Sequence, residues 1–181
     1  MTPEQIERSR YPAGRFTFDG DNQESVRYRA IDEIAALPAE LRRAISGLAL
    51  PQLETPYRPG GWTVQQVVHH IPDSHMNAYV RFKLALTEAA PTIKTYEEAR
   101  WAELPDSRSV DPAVSLSLVE ALHTRWTALL RAMGADDFQR CYVHPEMGRE
   151  VSLGEALQMY AWHGKHHVAQ IMALREREGW L

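Results

Sequence analysis

Ser152-Leu153-Gly154-Glu155-Ala156-Leu157-Gln158-Met159-Tyr160-Ala161-Trp162-His163-Gly164-Lys165-His166-His167-Val168-Ala169-Gln170-Ile171 decides how this chain folds. It opens with Ser-x-x-Glu, a capping box, and its apolar positions Leu153, Ala156, Leu157, Tyr160, Val168, Ile171 and Leu174 recur at helical spacing until Gly179 stops the run. Three further stretches read the same way. From Glu24 to Leu48 the stripe is Ile31, Ile34, Leu37, Leu41, Ile45 and Leu48, with Pro38 expected to kink or divide it. A second helix begins at the Thr63-x-x-Gln66 capping box behind the Gly60-Gly61 turn and ends by Pro91. A third starts at Asp111-Pro112 and carries Leu116, Val119, Leu122, Trp126, Leu129 and Met133 before Gly134. Four helices of bundle length predict an all-α four-helix bundle.

The intervening segments are unequal. Residues 1–22 alternate turn formers with aromatics, as in Tyr11-Pro12-Ala13-Gly14 and Phe16-Thr17-Phe18, and read as an extended N-terminal arm laid on one domain spanning 1–181. Residues 91–110 make a long loop between helices two and three, a crossover or a cover for a site. Residues 135–151 suggest a small hairpin around His144-Pro145-Glu146-Met147-Gly148.

Composition narrows the function. With 20 Lys+Arg against 24 Asp+Glu and a net charge of −4, the chain lacks the concentrated basic surface that nucleic acid requires. No run approaches the roughly 18 apolar residues of a membrane span, and the charged first thirty residues do not read as a signal peptide. The single cysteine, Cys141, allows no intrachain disulfide, which fits a reducing cytoplasm.

Six of the eight histidines fall in two groups: His69, His70 and His75 on helix two, and His163, His166 and His167 on helix four. At about 100° per residue, His167 lies about 20° and His163 about 60° from Tyr160 on the buried side, while His166 falls about 120° away toward solvent. His163 and His167 are thus an i, i+4 pair whose imidazoles can converge on one ion. On helix two the wheel places His75 inward, His70 at the margin and His69 outward. Pro72 makes that wheel a weak guide, so the spacing leaves His70 and His75 both open as a third ligand.

Gly61-Trp62-Thr63-Val64 leading to His70-Ile71, followed far downstream by His163-x-x-x-His167-x-x-Gln170, resembles the DinB-like superfamily of metal-binding four-helix bundles. Further blocks are similar to its YfiT subfamily, including Tyr57-Arg58-Pro59-Gly60-Gly61-Trp62, Asp73-Ser74-His75-Met76-Asn77, Arg81-Phe82-Lys83-Leu84, Trp101-Ala102-Glu103-Leu104-Pro105-Asp106-Ser107 and Tyr160-Ala161-Trp162-His163-Gly164-Lys165-His166-His167. The resemblance implies a metal held by one histidine of the second helix and two of the last, which maps onto His70, His163 and His167. Pro72 departs from the alanine expected there. The resemblance also implies a homodimer that acts on a small-molecule substrate, either as a metal-dependent hydrolase or by transferring a low-molecular-weight thiol such as bacillithiol to an electrophile.

Three imidazoles suit divalent zinc or nickel and leave a coordination position open, as catalytic sites do. A closed fourth protein ligand would instead indicate a non-catalytic metal-binding protein. Asp73, Asn77 and Gln170 are candidates to hydrogen-bond a ligand's second ring nitrogen. Glu146, His144, Arg81 and Lys165 are candidates to meet a charged substrate, and Cys141 reads as a packing residue. No general acid or base can be singled out.

Overall fold

The computed structural model describes residues 1–180. Its helices are α1 (Pro3–Arg10), α2 (Glu24–Ile45), α3 (Leu50–Leu53), α4 (Val64–Thr87), α5 (Glu98–Trp101), α6 (Pro105–Ser109), α7 (Pro112–Ala132) and α8 (Leu153–Glu178). A hairpin of β1 (Cys141–His144) and β2 (Arg149–Ser152) precedes α8. The long helices α2, α4, α7 and α8 form the four-helix bundle that the apolar spacing predicts.

Local caps set the helix starts. The Thr63 hydroxyl accepts from the Gln66 amide at 3.1 Å and the Gln66 side chain accepts from the Thr63 amide at 3.0 Å, so two orphan donors of α4 are satisfied together. Asp111 caps α7, Ser152 caps α8, and Gly179 closes α8 in the left-handed conformation at φ 69°. Neither Pro38 nor Pro72 divides its helix; each lies inside a continuous α2 or α4.

The pairing of helices follows from their contacts. Lys165 of α8 pairs with Glu33 of α2, and Arg175 reaches the Ala44 carbonyl, so these two helices run in parallel. His69 and His75 of α4 bond Ser115 and His123 of α7, which makes a second parallel pair. Antiparallel contacts join the pairs, with Arg131 on Asp32 and Arg42 on Glu120 between α7 and α2. A parallel α4–α7 step requires a long crossover, and residues 88–111 supply it, carrying α5 and α6.

The crossover packs over α4. Gln66 donates to the Ala102 carbonyl at 2.7 Å, Gln65 to the Val110 carbonyl at 3.2 Å, and α4 is buried nearly all round at its start. His69, expected to face outward, is therefore buried: its Nε2 donates to the Val110 carbonyl at 3.0 Å and its Nδ1 accepts from Ser115 at 2.7 Å. A helical wheel registers only the bundle side and misses a cover contributed from elsewhere in the chain.

The N-terminal arm does the same for α8. It is laid along the bundle as expected, but residues 3–10 are helical because Thr2 and Gln5 form a capping box ahead of Pro3. Beyond α1, Gly14 accepts from the Trp162 indole at 3.2 Å and the Tyr11 ring lies 5.7 Å from that of His166. His166, expected toward solvent, is consequently buried at 6% exposure.

The core has two apolar clusters. One gathers Ile31 and Ile34 of α2, Ala78 and Phe82 of α4, Trp126 and Leu130 of α7, and Leu153 to Ala161 of α8. The other gathers Leu37 and Leu41, Val64 to Ile71, Leu116 and Val119, and Ile171 and Leu174. On α4, α7 and α8 the stretch between the two clusters holds His75, His123, and His163 with His167: the bundle carries a layer of histidines at mid-height.

Candidate metal centre

In that layer His70 of α4 meets His163 and His167 of α8. His163 Nε2 lies 3.2 Å from His70 Nε2 and 3.2 Å from His167 Nε2, and the three ligand atoms all lie within 4.8 Å of one another. The i, i+4 spacing on α8 aims two rings at one point, and α4 crosses antiparallel to supply the third. Trp62, just before the α4 cap, packs its ring 4.7 Å from that of His70 and limits how far the imidazole can turn.

Hydrogen-bond partners fix the tautomers. The Ile34 carbonyl only accepts, so His123 donates to it through Nδ1 at 2.6 Å, leaving its Nε2 as an acceptor. His75 Nδ1 donates to that atom at 3.0 Å, and His75 Nε2 accepts from His163 Nδ1 at 3.1 Å. His163 is thereby protonated on Nδ1 and bare on Nε2. His167 reaches the same state, since its Nδ1 donates to Gln170 Oε1 at 2.9 Å. The Gln170 amide nitrogen donates to the Arg10 carbonyl and to His166 Nε2, both at 2.9 Å, which fixes the orientation of the amide.

The 3.2 Å contact between His163 and His167 is then no hydrogen bond. Two bare nitrogens face each other, an arrangement that a cation between them relieves. Burial holds the rings neutral: desolvation pushes His70 down to about 4, and desolvation first and neighbouring histidines second push His163 and His167 well below the imidazole range. Neutral imidazoles are what a divalent ion needs from its ligands, and on His163 and His167 the outward N–H is also satisfied by a fixed acceptor. The donor set fits such an ion, with His70, His163 and His167 as the residues that would hold it.

The other residues singled out from the sequence divide. Gln170 bonds the His167 ring of the candidate site; Asn77 instead donates to the Asp73 carbonyl at 2.9 Å. Asp73 is half-buried, and its carboxyl is pushed up to about 6 by burial and then by Asp106. Lys165 faces α2 and pairs with Glu33, so it is not at the site. Arg81 and His144 line one cavity, and Cys141 donates to Glu150 at 3.2 Å on the hairpin edge, where that contact and burial raise its pKa.

His75 lies outside the converging trio and hydrogen-bonds His163 from behind. His123 was not among the sequence candidates at all. Its signal lay in the stripe of α7, where burial follows Val119, His123, Trp126 and Leu130 while Leu122 and Leu129 are only partly covered. Four residues separate Val119 from His123, which is as good a helical step as three.

Known proteins resemble the chain along nearly its whole length. The family model described as the DinB superfamily matches residues 33–171. A Bacillus mycoides (strain KBAB4) protein provisionally named metal-dependent hydrolase is 55% identical over 172 residues, covering 94% of this chain and 98% of its own. A Bacillus cereus (strain 03BB102) protein of the same provisional name is 54% identical over 172 residues, with the same coverage. The solved structure of YfiT from Bacillus subtilis superposes with a TM-score of 0.94 at 45% identity, over 96% of this chain and 99% of that one. It is described as a metal-dependent hydrolase, by inference, with an unusual four-helix bundle topology.

Proposed function

Because the chain belongs to the DinB superfamily, we propose that it is a metal-dependent enzyme that joins a low-molecular-weight thiol, of the bacillithiol kind, to a small electrophilic substrate. The supporting observation is the chemistry around the three ligand rings. His163 is backed by His75 and His167 by Gln170, all neutral, and no carboxylate is among the converging donors. A divalent ion held by His70, His163 and His167, zinc or nickel by donor preference, would supply the Lewis acidity that lowers the pKa of a thiol or a water. Thiol attack asks little more of the chain. The fixed rings hold the site's geometry, Trp62 and the crossover exclude bulk water from α4, and the electrophile has only to be oriented.

Hydrolysis is a second reading, favoured by Asp73. A carboxyl held near 6 beside the His70 turn has the pKa of a general base at neutral pH. The provisional name of the relatives points the same way.

Pairing with a second copy of the chain belongs to the proposal. Met76 and Val80 of α4, and Val114 and Leu118 of α7, are exposed apolar pairs four residues apart, each on one face of its helix. Among the described residues no helix is long and apolar enough to cross a membrane. A cytoplasmic setting is supported by the free Cys141.

The test loads the full chain with zinc or nickel and follows two reactions in parallel. Bacillithiol consumption with monochlorobimane, faster than for chelator-treated protein, is expected. Metal-dependent cleavage of an ester or amide panel with no thiol consumption would overturn thiol transfer and leave hydrolysis.

A further inference from the structure

Away from the metal centre, the arm, the hairpin, α4 and the start of α8 border a cavity of about 660 Å³, lined among others by Phe16 and Phe18 of the arm, Tyr142 of the hairpin and Met159 of α8. That volume lies within the usual range for small-molecule sites. Arg81 stands in its wall at 7% exposure. Its guanidinium makes two hydrogen bonds, from Nη1 to the Tyr160 hydroxyl and from Nη2 to the Lys94 carbonyl, both 3.2 Å, while its buried Nε has no partner. Among the described residues no carboxylate comes within ion-pair distance of it.

The surrounding charges leave that cation uncompensated. Arg149 also lines the cavity but is held by both oxygens of Glu155, at 2.6 and 2.9 Å. His144 accepts from the Met147 amide and is kept neutral by burial first and by the Arg81 charge second. Glu98 of the crossover senses Arg81 electrostatically but forms no ion pair with it, its carboxyl being raised by burial first, and Glu146 is exposed at the hairpin tip. A buried guanidinium without a counter-ion is costly, and one that borders an apolar cavity is satisfied when an anion enters.

We propose that this cavity binds a small organic carboxylate with an apolar body, gripped at its charged end by Arg81. The assignment rests on the proposed enzymatic reading and names the class of its substrate. The Tyr160 hydroxyl accepts from Arg81, and the Tyr160 ring centroid is 5.9 Å from that of His163, so one tyrosine separates the anion's anchor from the candidate metal centre. A single net cation among mostly apolar walls matches one carboxylate in charge better than a phosphate dianion, and the planar fork matches its shape.

The test measures binding of 4-phenylbutyrate and of 4-phenylbutanol to the full chain, metal-loaded and metal-depleted, by calorimetry. The acid is expected to bind about ten- to a hundredfold more tightly than the alcohol. R81M should bring the two within about threefold and R81K should keep an intermediate preference. Arg81 is buried, so a second variant guards against misfolding: M147W, at a half-exposed hairpin position on the cavity rim, should weaken both ligands. Equal binding of acid and alcohol by the native chain, an acid preference that survives R81M, or unchanged binding in M147W would each overturn the assignment. Loss of metal-dependent turnover with acid binding intact would instead count against the enzymatic reading alone.

Discussion

His123 donates its Nδ1 proton to the Ile34 carbonyl at 2.6 Å, and that carbonyl is free because Pro38, four residues on, has no N–H to offer it. A proline inside α2 thus anchors a chain of rings, His123 to His75 to His163, that leaves a bare nitrogen at the metal centre. Replacing His75 or His123 by Phe should weaken metal binding about 10- to 100-fold, the usual cost of losing the group behind a ligand. Pro38→Ala restores an N–H that competes for Ile34 and should weaken binding severalfold. Chelator competition measures each affinity, and ring ¹⁵N shifts of His163 report its tautomer. Native affinity in the His75 variant would refute the relay.

The ligand set makes a sharper prediction. His70→Ala, His163→Ala and His167→Ala should each abolish stoichiometric metal on purification, as read by elemental analysis. His166→Ala should retain it, because Gln170 remains oriented by the Arg10 carbonyl at 2.9 Å. Metal loss in the His166 variant equal to the other three would break the assignment.

How much of this was legible beforehand depended on the range of the interaction. Caps at Thr63, Asp111 and Ser152 are local, and they placed three helix starts from the sequence alone. His163 and His167 share one helix, so their spacing was readable. His69 and His166 were misplaced because the chain segments that bury them, the crossover at Val110 and the arm at Tyr11, come from more than 40 and 150 residues away. His123 escaped because its partner, a carbonyl freed by Pro38, becomes meaningful only once α2 and α7 are known to pack. The choice of His70 over His75 came from family resemblance, and the geometry explains why the wheel could not decide: both rings are buried and both meet His163.

Gly164 sits where α8 presses on α2. A Cβ there would lie 2.5 Å from Leu37 Cδ2 and 3.2 Å from its Cγ, and Leu37 is itself buried. Gly164→Ala should therefore cost stability despite better helix propensity, and Gly164→Val should cost more, about 1–3 kcal/mol. Urea unfolding midpoints measure both. An unchanged midpoint in the valine variant would show that the two helices can separate freely.

Acid should loosen the metal-free protein. His70, His123 and His166 are each held down to about 4 in the fold, chiefly by burial, against an ordinary 6.5 when unfolded. The unfolded chain takes up their protons first, so the stability they contribute is complete above 6.5 and is lost as pH falls toward 4. Asp73, raised to about 6, and Glu98, also raised by burial, work in the opposite direction but are two groups against several. Between pH 7.5 and 5 the melting temperature should fall by about 5–10 °C. A flat profile would mean that these rings are more hydrated than their burial implies.

Asp73 finally separates the two chemistries. It follows His70 by three residues, one turn along α4, and its carboxyl near 6 is the group in this region best suited to take a proton from water at neutral pH. Thiol transfer requires no such base from the chain, because metal coordination would itself take the thiol's proton, while His75 and Gln170 only position His163 and His167. Asp73→Asn should therefore leave thiol consumption within about threefold of native, a change typical of a neighbouring polar substitution rather than of a lost base. Were hydrolysis the reaction, the same variant should lower ester or amide turnover about 100-fold or more. Steady-state rates for both substrates, on protein of equal metal content, decide between them: a loss of about 100-fold in metal-dependent hydrolysis, in a protein that consumes no thiol, would make Asp73 its base and displace the thiol reading.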